Sequence, residues 1–180
     1  MKAHPHTLLG LESLTGIRER TKRRTKRRKK SGKGTEPVSP KARRANRHAS
    51  QWTFAELHGM ITYKAALAGS LAIKVDADYT SKACPMCGYT DKRNRPGNGL
   101  LFVCQNTQCP HWQRTGQPYT LHADLIGARN IAMRTLLTRQ DWVRTGHLSV
   151  APDVSDHETK AARLARYAEL RWSSDTSPSL

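Results

Sequence analysis

Four cysteines form two close pairs in the middle of the chain, Cys84 with Cys87 and Cys104 with Cys109, and sixteen residues separate the pairs. Thiolates are preferred ligands in structural zinc sites, where four of them surround the ion at about 2.3 Å in a tetrahedron. Two tight turns that each present a sulfur pair meet this requirement with little strain in the chain. Gly88 follows the first pair, and its freedom to turn back toward the sulfurs is typical of a zinc knuckle. The spacing therefore predicts a structural Zn²⁺ site.

Two alternatives to this ligand set stay open. The second pair has four residues between its cysteines, where two are usual, and His111 could replace Cys109 as the fourth ligand. The cysteines could instead form two disulfides in a secreted protein. No apolar leader follows Met1, however, so we expect a reducing cytoplasm and free thiolates.

Two carboxylates stand where an α/β fold exposes side chains near an active edge. Glu12 lies near the end of an apolar run from Thr7 to Leu14, which predicts a buried strand, and Asp124 stands at the start of a predicted helix. Acids that converge from separate elements can hold Mg²⁺ ions about 3.5–4 Å apart, as in many nucleases. The pattern alone also permits a helix-capping Asp and a solvent-facing Glu.

The charge of the chain indicates a polyanionic partner. Among 180 residues, 31 are Lys or Arg and 14 are Asp or Glu, which gives a formal net charge of +17. No apolar run approaches the ~20 residues that span a bilayer, so we expect DNA or RNA as the partner, no membrane, and a location at the bacterial nucleoid. The run from Arg18 to Lys33 should bind phosphates without reading sequence, and we expect residues 18–49 to be mobile. Its predicted contacts include Arg23, Arg24, Arg27 and Arg28.

Cations and aromatic residues also surround the cysteines. We predict that Lys92, Arg93 and Arg95 contact nucleic acid, with Arg114 near them. Stacking faces for unpaired bases could come from Tyr89, Phe102, Trp112 and Tyr119. Phe102 is instead expected to pack under the zinc.

Two elements are predicted before the first cysteine pair. A capping-box pattern at Thr53 and Glu56, followed by apolar residues at helical spacing until Gly69, predicts an amphipathic helix. Apolar and polar residues then alternate from Leu71 to Asp76, which predicts a half-buried strand that leads into the cysteines.

The segments after the second pair are less regular. We expect residues 110–120 to be a loop and residues 123–137 to be a helix. One side of that helix carries Leu125, Ala128, Ala132 and Leu136.

The chain resembles the C-terminal part of the TnpB-like (OrfB) transposon-encoded proteins, which are relatives of the type V CRISPR effectors. Four stretches carry the resemblance, which covers most of residues 6–138. They are Gly-Leu-Glu-Ser-Leu-Thr-Gly-Ile-Arg around Glu12, the helix from Ser50 through Lys64, Tyr-Thr-Ser-Lys-Ala-Cys-Pro-Met-Cys-Gly from Tyr79, and Ala-Asp-Leu-Ile-Gly-Ala-Arg-Asn-Ile from Ala123.

The resemblance implies an α/β fold with a partial RNase H-like (RuvC) core interrupted by a zinc ribbon. It assigns residues 1–83 and 121–138 to the core, 84–120 to the ribbon, and 139–180 to a C-terminal tail with a possible helix over 155–172. It also implies a guide RNA, a DNA target, and Glu12 and Asp124 as the second and third acids of a metal-binding triad. The first acid is absent, so we expect the chain to be inactive alone unless an upstream chain completes the core.

Three functions are compatible with these features. The first is a fragment of a transposon-associated, RNA-guided DNA endonuclease that carries two of three catalytic acids. The second is a zinc-ribbon module that binds nucleic acid without catalysis, as a decayed remnant or a regulator. The third, a ribosome-associated zinc ribbon protein, fits the charge and the cysteines but leaves the motif around Asp124 unexplained.

Overall fold

The chain forms a mixed α/β structure, seen here in a computed structural model that describes residues 7–14, 26–28, 34–37, 39–40, 44, 54–146 and 157–172. This confirms the predicted α/β class, and no described helix is both long and apolar enough to cross a bilayer. In chain order the elements are β1 (Leu8–Ser13), β2 (Lys26–Arg28), β3 (Thr35–Pro37), α1 (Phe54–Leu67), β4 (Leu71–Asp76), a 3-10 turn (Lys92–Asn94), β5 (Leu101–Val103), α2 (Pro110–Thr115), β6 (Thr120–His122), α3 (Ala123–Thr145) and α4 (His157–Glu169).

The chain divides into two compact units. One comprises Met1–Ser13 and Ala65–Leu180, and the other comprises Leu14–Lys64. Within the second unit, β2 and β3 pair in an antiparallel manner, and most of α1 follows them. The helix and the strand predicted before the first cysteine pair are thereby confirmed as α1 and β4. Thr53, the proposed cap of α1, lies outside the described residues.

Strands β1 and β4 form a two-stranded parallel sheet in the first unit. Glu12 lies opposite Val75, and Ser13 lies opposite Asp76. The strand predicted around Glu12 is confirmed as β1. Because parallel strands need a crossover connection, the sheet joins distant parts of the sequence and brings the end of β1 beside the end of β4.

Helix α3 packs against both strands of this sheet. A side chain at Gly10 of β1 would overlap the hydroxyl of Thr135, so the strand and the helix approach closely because this position has no Cβ. The helix continues to Thr145 rather than ending near residue 137, since no Gly or Pro lies between residue 137 and Gly146, which closes it in the left-handed conformation.

The apolar side predicted for α3 is not its buried side. Leu125 is 53% exposed and Leu136 is 52% exposed, whereas Ile126 and Met133 are buried. Polar side chains share the buried side, because they bind backbone carbonyls that a hydrophobic pattern does not reveal. The buried residues of the helix are Ala123, Ile126, Gly127, Asn130, Met133, Arg134 and Thr135.

Residues 110–120 are not simply a loop, since Pro110–Thr115 form α2 and Thr120 begins β6. Proline fits the first turn of a helix because the amide hydrogen that it lacks would have no partner there. Gly116 ends the helix with φ 72° and donates its amide to the Trp112 carbonyl. Six residues are too few to show a helical period, which is why the sequence pattern missed this element.

Helix α4, predicted over 155–172, forms from His157 to Glu169 within the first unit. The Arg163 guanidinium pairs with the Asp76 carboxylate at the end of β4, and both side chains are buried. Arg166 makes two hydrogen bonds of 2.9 Å to the Asp141 carboxylate of α3. Residues 157–172 therefore have defined contacts with the sheet and with α3.

Candidate functional site

The four cysteine sulfurs form one cluster, in which all lie within 4.8 Å of one another. Four sulfurs at about 2.3 Å from a tetrahedral zinc ion are separated by about 3.8 Å along each edge. The Sγ atoms of Cys87 and Cys104 are 3.8 Å apart, and these two cysteines belong to different pairs. The cluster therefore has the donor atoms and the size to hold a metal ion, with zinc as the best fit.

The first cysteine pair lies on a tight backbone knuckle. The Gly88 amide donates to the Cys84 carbonyl at 2.7 Å, and Gly88 has φ 75°. The Cys84 amide in turn donates to the Tyr89 carbonyl at 2.9 Å, while the side chain of Asn106 lies 3.6 Å from the Cys87 sulfur. The two backbone amides thus shape the knuckle by binding carbonyls, and the Asn106 side chain donates to the Cys87 sulfur and stabilises thiolate charge there.

A buried asparagine joins the two cysteine pairs. Asn94 is fully buried and donates to the carbonyls of Lys82 and Tyr89, at 2.9 and 3.2 Å. Its side-chain oxygen accepts the Gln105 amide at 3.0 Å. One side chain thus fixes the knuckle of the first pair and the residue that follows Cys104.

A small apolar core lies under the sulfurs. Phe102, Tyr119 and Ile126 pack with Cys84, Cys104 and Cys109, and Phe102 and Ile126 are completely buried. Phe102 therefore packs beneath the cluster, as expected. Neither Phe102 nor Tyr119 presents an exposed face, so the idea that they stack on bases is wrong.

The thiols of Cys84, Cys87 and Cys104 influence one another's pKa. Hydrogen bonds with Cys104 and Cys87, followed by burial, raise the pKa of the Cys84 thiol far above its ordinary value. Hydrogen bonds with Cys104 and Cys84 lower the pKa of the Cys87 thiol to about 2. Without a cation the cluster shares protons among its sulfurs, and a divalent ion removes this competition for charge.

The alternative ligand sets do not match the arrangement of these residues. All four cysteines are free thiols rather than disulfides. The ring of His111 packs edge-on against Tyr119, with the ring centres 5.2 Å apart. The residues that converge are the four cysteines, including Cys109.

Glu12 is held at the end of β1 by a hydrogen bond from another segment. The Thr80 hydroxyl donates to the Glu12 carboxylate at 2.8 Å, and Thr80 is buried in the loop that connects β4 to Cys84. This bond fixes one carboxylate oxygen. The other oxygen has no hydrogen bond among the described contacts.

Asp124 stands in the first turn of α3, and its side chain is 88% exposed. The cap of the helix is His122, whose side chain accepts the Asp124 amide at 3.4 Å. Asp124 is therefore not needed as the cap, and its carboxylate lies 3.6 Å from the His122 ring nitrogen. The positive end of the helix dipole favours an ionised carboxylate at this position.

A cleft of about 500 Å³ joins these two acids. Glu12 and Asp124, which are 112 positions apart in the sequence, both line it. Arg95 lines it as well and is anchored by hydrogen bonds to the Gly99 carbonyl and, at 2.9 Å, to the Ser81 hydroxyl. The remaining lining residues are Ala77, Thr80, Ser81, Ala123, Gly127, Ala128 and Ile131.

Two polar residues of α3 hold the wall of this cleft. Asn130 donates to the carbonyls of Thr80 and Ala83, at 2.6 and 2.9 Å. Arg134 donates to the carbonyls of Asp76 and Asp78, at 2.6 and 2.8 Å, and burial lowers the pKa of its guanidinium. The helix that carries Asp124 in its first turn therefore also fixes the loop that binds Glu12.

The other predicted nucleic-acid contacts lie elsewhere. Lys92 and Arg93 are exposed in the 3-10 turn, and Arg93 pairs with Asp91 at 3.0 Å. Arg27 and Arg28 lie on β2, while Arg23 and Arg24 lie outside the described residues. Among the cations of this set that the structure describes, Arg95 is the one that lines the cleft.

Sequence reasoning missed several residues that shape the site. Thr80, Asn130 and Arg134 were not predicted, although polar residues four positions apart on a helix, as at 130 and 134, indicate a shared polar contact. The pairing of Asp76 with Arg163 has no local signal, because 86 residues separate the partners. Such contacts depend on the tertiary fold.

In the described part of the chain, the cysteine cluster is the one place where three or more Cys, His, Asp or Glu side chains converge closely enough to hold a metal. The Glu12 and Asp124 pair alone offers two carboxylates. Mg²⁺ is commonly bound by one or two carboxylates together with water and substrate phosphates, so this pair fits such an ion in part.

Residues 54–131, which include α1, the cysteine cluster and the start of α3, match the family model described as Cas12f1-like, TNB domain. The sequence is 39% identical over 88 residues to the CRISPR-associated endodeoxyribonuclease Cas12f1 of Sulfoacidibacillus thermotolerans, an alignment that covers 49% of this chain and 18% of the relative. It is 33% identical over 89 residues to the CRISPR-associated endodeoxyribonuclease Cas12f2 of Micrarchaeota archaeon (strain CG1_02_47_40), covering 49% of this chain and 15% of the relative.

A third relative comes from Escherichia coli (strain K12). It is InsQ, whose name describes an RNA-guided DNA endonuclease, and it is 33% identical over 93 residues, covering 51% of this chain and 20% of the relative. The chain thus aligns with a fifth or less of the length of these relatives.

Proposed function

We propose that this chain, which is related to the TnpB proteins and the type V CRISPR effectors, supplies part of the catalytic face of an RNA-guided DNA endonuclease associated with transposition. The observation that carries the proposal is the shared cleft of Glu12 and Asp124. Its presence beside a four-cysteine cluster agrees with a partial RuvC-like core into which a zinc ribbon is inserted.

The acids and the arginine of the cleft have complementary roles in this proposal. Glu12 and Asp124 would hold Mg²⁺, which activates water and stabilises the leaving oxygen of a phosphodiester when it is bound. Thr80 orients Glu12 through its hydroxyl. Arg95, already fixed by Gly99 and Ser81, would contact a phosphate of the DNA strand in the cleft.

The cysteine cluster has a structural role in the same proposal. Zn²⁺ bound by Cys84, Cys87, Cys104 and Cys109 would hold residues 84–120 in shape. This ribbon carries Arg95, so the zinc would also position a side chain of the cleft.

The partners follow from charge and from surfaces that stay uncovered. The basic residues, Arg23, Arg24, Arg27 and Arg28 among them, suit DNA and a guide RNA, and the nucleoid would be the site of action. Leu125 and Leu136 of α3 are more than half exposed, and β1 pairs only with β4 in the described sheets. An additional segment or chain that supplies a further strand and a further acid would cover these surfaces.

One observation favours a second function, that of a nucleic-acid-binding module without catalysis. In the part of the chain that the structure describes, two acids rather than three meet in the cleft. A decayed or regulatory protein would keep the zinc cluster and the basic surface but would not need a metal between Glu12 and Asp124.

Metal binding and DNA cleavage by the full chain would separate the two functions. Mn²⁺ is a paramagnetic substitute for Mg²⁺, and we expect it to broaden NMR signals around Glu12 and Asp124 in the wild type but not in Asp124→Asn. Asp91→Asn is the control, because Asp91 does not line the cleft. Any cutting of single-stranded DNA should vanish in Asp124→Asn and persist in Asp91→Asn.

Two arginines of one segment provide a matched test of DNA contact. Arg95→Ala should reduce cleavage or DNA affinity more than Arg93→Ala, because Arg95 lines the cleft and Arg93 is engaged by Asp91. DNA binding with no cutting and no Mn²⁺ effect at the acids would contradict the nuclease proposal and support the binding module.

A further inference from the structure

Tyr79 adopts a backbone conformation that bulky residues rarely take. It follows β4 and has φ 59°, and it is the one non-glycine residue with a positive φ in the described part of the chain. Its side chain is also 45% exposed. Strain of this kind persists where the surrounding structure enforces it, and it occurs preferentially at functional positions.

The backbone on both sides of Tyr79 is held by other residues. The Asp78 amide donates to the Asp76 carboxylate at 2.8 Å, and the Arg134 guanidinium binds the Asp78 carbonyl at 2.8 Å. The Tyr79 carbonyl accepts the amides of Lys82 and Ala83 at 2.9 and 3.0 Å. Asparagine or glycine would fit this turn with less strain, so the turn itself does not require an aromatic ring.

Two ammonium groups lie over the exposed ring. The Nζ atoms of Lys82 and Lys160 each lie 5.9 Å from the centre of the Tyr79 ring. Lys160 also pairs with the Asp78 carboxylate at 2.6 Å. The ring therefore already holds cations over its face, as nucleic-acid-binding aromatic residues do, and a base that stacks there would replace an ammonium group that could then meet a neighbouring phosphate.

Tyr79 directly precedes two residues that line the cleft. Thr80 and Ser81, the next two residues, line that cleft, and the Thr80 hydroxyl binds Glu12. Two aromatic residues of the ribbon, Phe102 and Tyr119, are buried and unavailable for stacking. Tyr79 is therefore an exposed aromatic residue on the segment that binds Glu12.

We propose that Tyr79 is a stacking platform for a base of single-stranded nucleic acid that enters the Glu12 and Asp124 cleft. Lys82 and Lys160 contact the neighbouring phosphates. This inference rests on the proposed function, since it assumes that a nucleic-acid strand occupies the cleft. It adds a positioning residue that places the strand before any cleavage.

Because the backbone at Tyr79 is strained, one substitution should change stability and binding in opposite directions. In the full chain, Tyr79→Asn should raise the melting temperature by about 2 °C, because it relieves strain. The same substitution should weaken binding of a single-stranded oligonucleotide of about 10 nucleotides by about tenfold, as measured by fluorescence anisotropy at fixed salt. Tyr79→Phe keeps the ring, and its affinity should stay within about twofold of the wild type.

Controls separate stacking from charge and from general effects. Tyr63→Asn removes another exposed tyrosine, on α1, and should leave the affinity unchanged. Lys82→Gln should lower the slope of log affinity against log salt by about 0.7, the value for one phosphate contact on a single strand.

Several outcomes would overturn the stacking platform. They are normal affinity in Tyr79→Asn, parallel loss of stability and affinity in that variant, or an equal loss of affinity for duplex DNA, whose bases are not free to stack. If Tyr79→Asn binds normally while Asp124→Asn still abolishes the Mn²⁺ effect, the platform fails alone. If the wild type binds no single-stranded DNA and shows no Mn²⁺ effect, the proposed function fails with it.

Discussion

The ribbon and the sheet region form their cores in different ways. In residues 84–120, Phe102 and three of the cysteines, Cys84, Cys104 and Cys109, are almost completely buried, and Asn94 has hydrogen bonds on both sides. In the sheet region, formed by β1, β4 and α3, Leu125 and Leu136 are more than half exposed, and two strands make up the described sheet. The ribbon centres its core on the cysteine sulfurs, with Ile126 of α3 packed against them, whereas the sheet region is held by paired strands and a helix. Both regions also leave apolar side chains exposed, Leu100 and Leu101 in the ribbon among them.

The two regions differ in what compensates for the small size of their cores. A module of fewer than about 40 residues buries too little apolar surface to fold alone, and metal ligands compensate for this. A sheet has no such substitute, so each added strand must come from elsewhere in sequence or from another chain. The ribbon is therefore expected to depend on metal and the sheet region on long-range contacts.

Loss of one thiolate would test the dependence on metal and should have the largest effect. Cys84→Ser should reduce the zinc content of the purified protein and unfold residues 84–120, with a loss on the order of 10 kcal/mol of metal-linked stabilisation. Hydrogen exchange should become fast at the amides of Phe102 and Cys104 but stay slower in β1 and β4. Arg114→Ala, an exposed position of the same module, is the control. Equal deprotection of the sheet would contradict the contrast between the regions.

The buried ion pair between α4 and β4 tests the dependence of the sheet on long-range contacts. Arg163→Ala should lower the free energy of unfolding by about 3 kcal/mol, because it leaves the Asp76 carboxylate buried without its cation. Arg166→Ala removes an exposed pair with Asp141 and should cost less than about 1 kcal/mol. Urea denaturation of both variants measures the difference. Similar costs for the two variants would show that α4 does not stabilise the sheet.

The close approach of β1 and α3 gives a smaller test. Gly10→Ala should destabilise the protein by about 2 kcal/mol, since the new methyl group overlaps Thr135. The double variant with Thr135→Ala should recover part of this loss. Gly59→Ala is a matched control in α1, where open space surrounds the glycine, and it should stabilise by up to about 1 kcal/mol. If thermal unfolding shows the same change in stability for Gly10→Ala and Gly59→Ala, the close packing of β1 on α3 is refuted.

The smallest expected effect concerns a surface pair of the ribbon. Hydrogen bonds from the Arg93 side chain and then its amide lower the pKa of Asp91 to about 2, below its ordinary value of 3.8. Because the folded-state pKa is depressed, the contribution of this pair is present above pH 3.8 and is lost as the pH falls toward 2. An NMR titration of the Asp91 carboxyl carbon should show this midpoint, and Arg93→Ala should raise it. An unchanged midpoint in that variant would mean that Arg93 is not the cause.

Local patterns predicted the local parts of this molecule. The cysteine spacing identified the residues that converge, and alternation or helical spacing identified β1, α1, β4 and the start of α3. The prediction of which side of α3 is buried was wrong, because burial there depends on Asn130 and Arg134. Their partners are carbonyls of a loop that is distant in sequence. Apolar residues left exposed on that helix carry no signal of what they would contact.

The cleft was predicted only in part. That Glu12 and Asp124 would lie near one another was inferred from their positions at the ends of elements and from a family resemblance, and their catalytic roles remain predictions. Thr80, the strained Tyr79 and the Asp76 pair with Arg163 could not be found, because each depends on which segments the fold brings together.

Gly88 connects the knuckle to the far end of the chain. Its missing side chain leaves room for the Ala168 carbonyl at the end of α4, and the Trp172 amide donates to the Pro85 carbonyl at 2.8 Å. The same helix holds Asp76 through Arg163, beside the loop that carries Tyr79 and Thr80. Loss of the zinc proposed for the cysteine cluster, or oxidation of a cysteine, would therefore weaken the contacts of α4 with the knuckle and disturb the loop next to Glu12. The redox state and metal supply of the cell would then influence the cleft without any change in its acids.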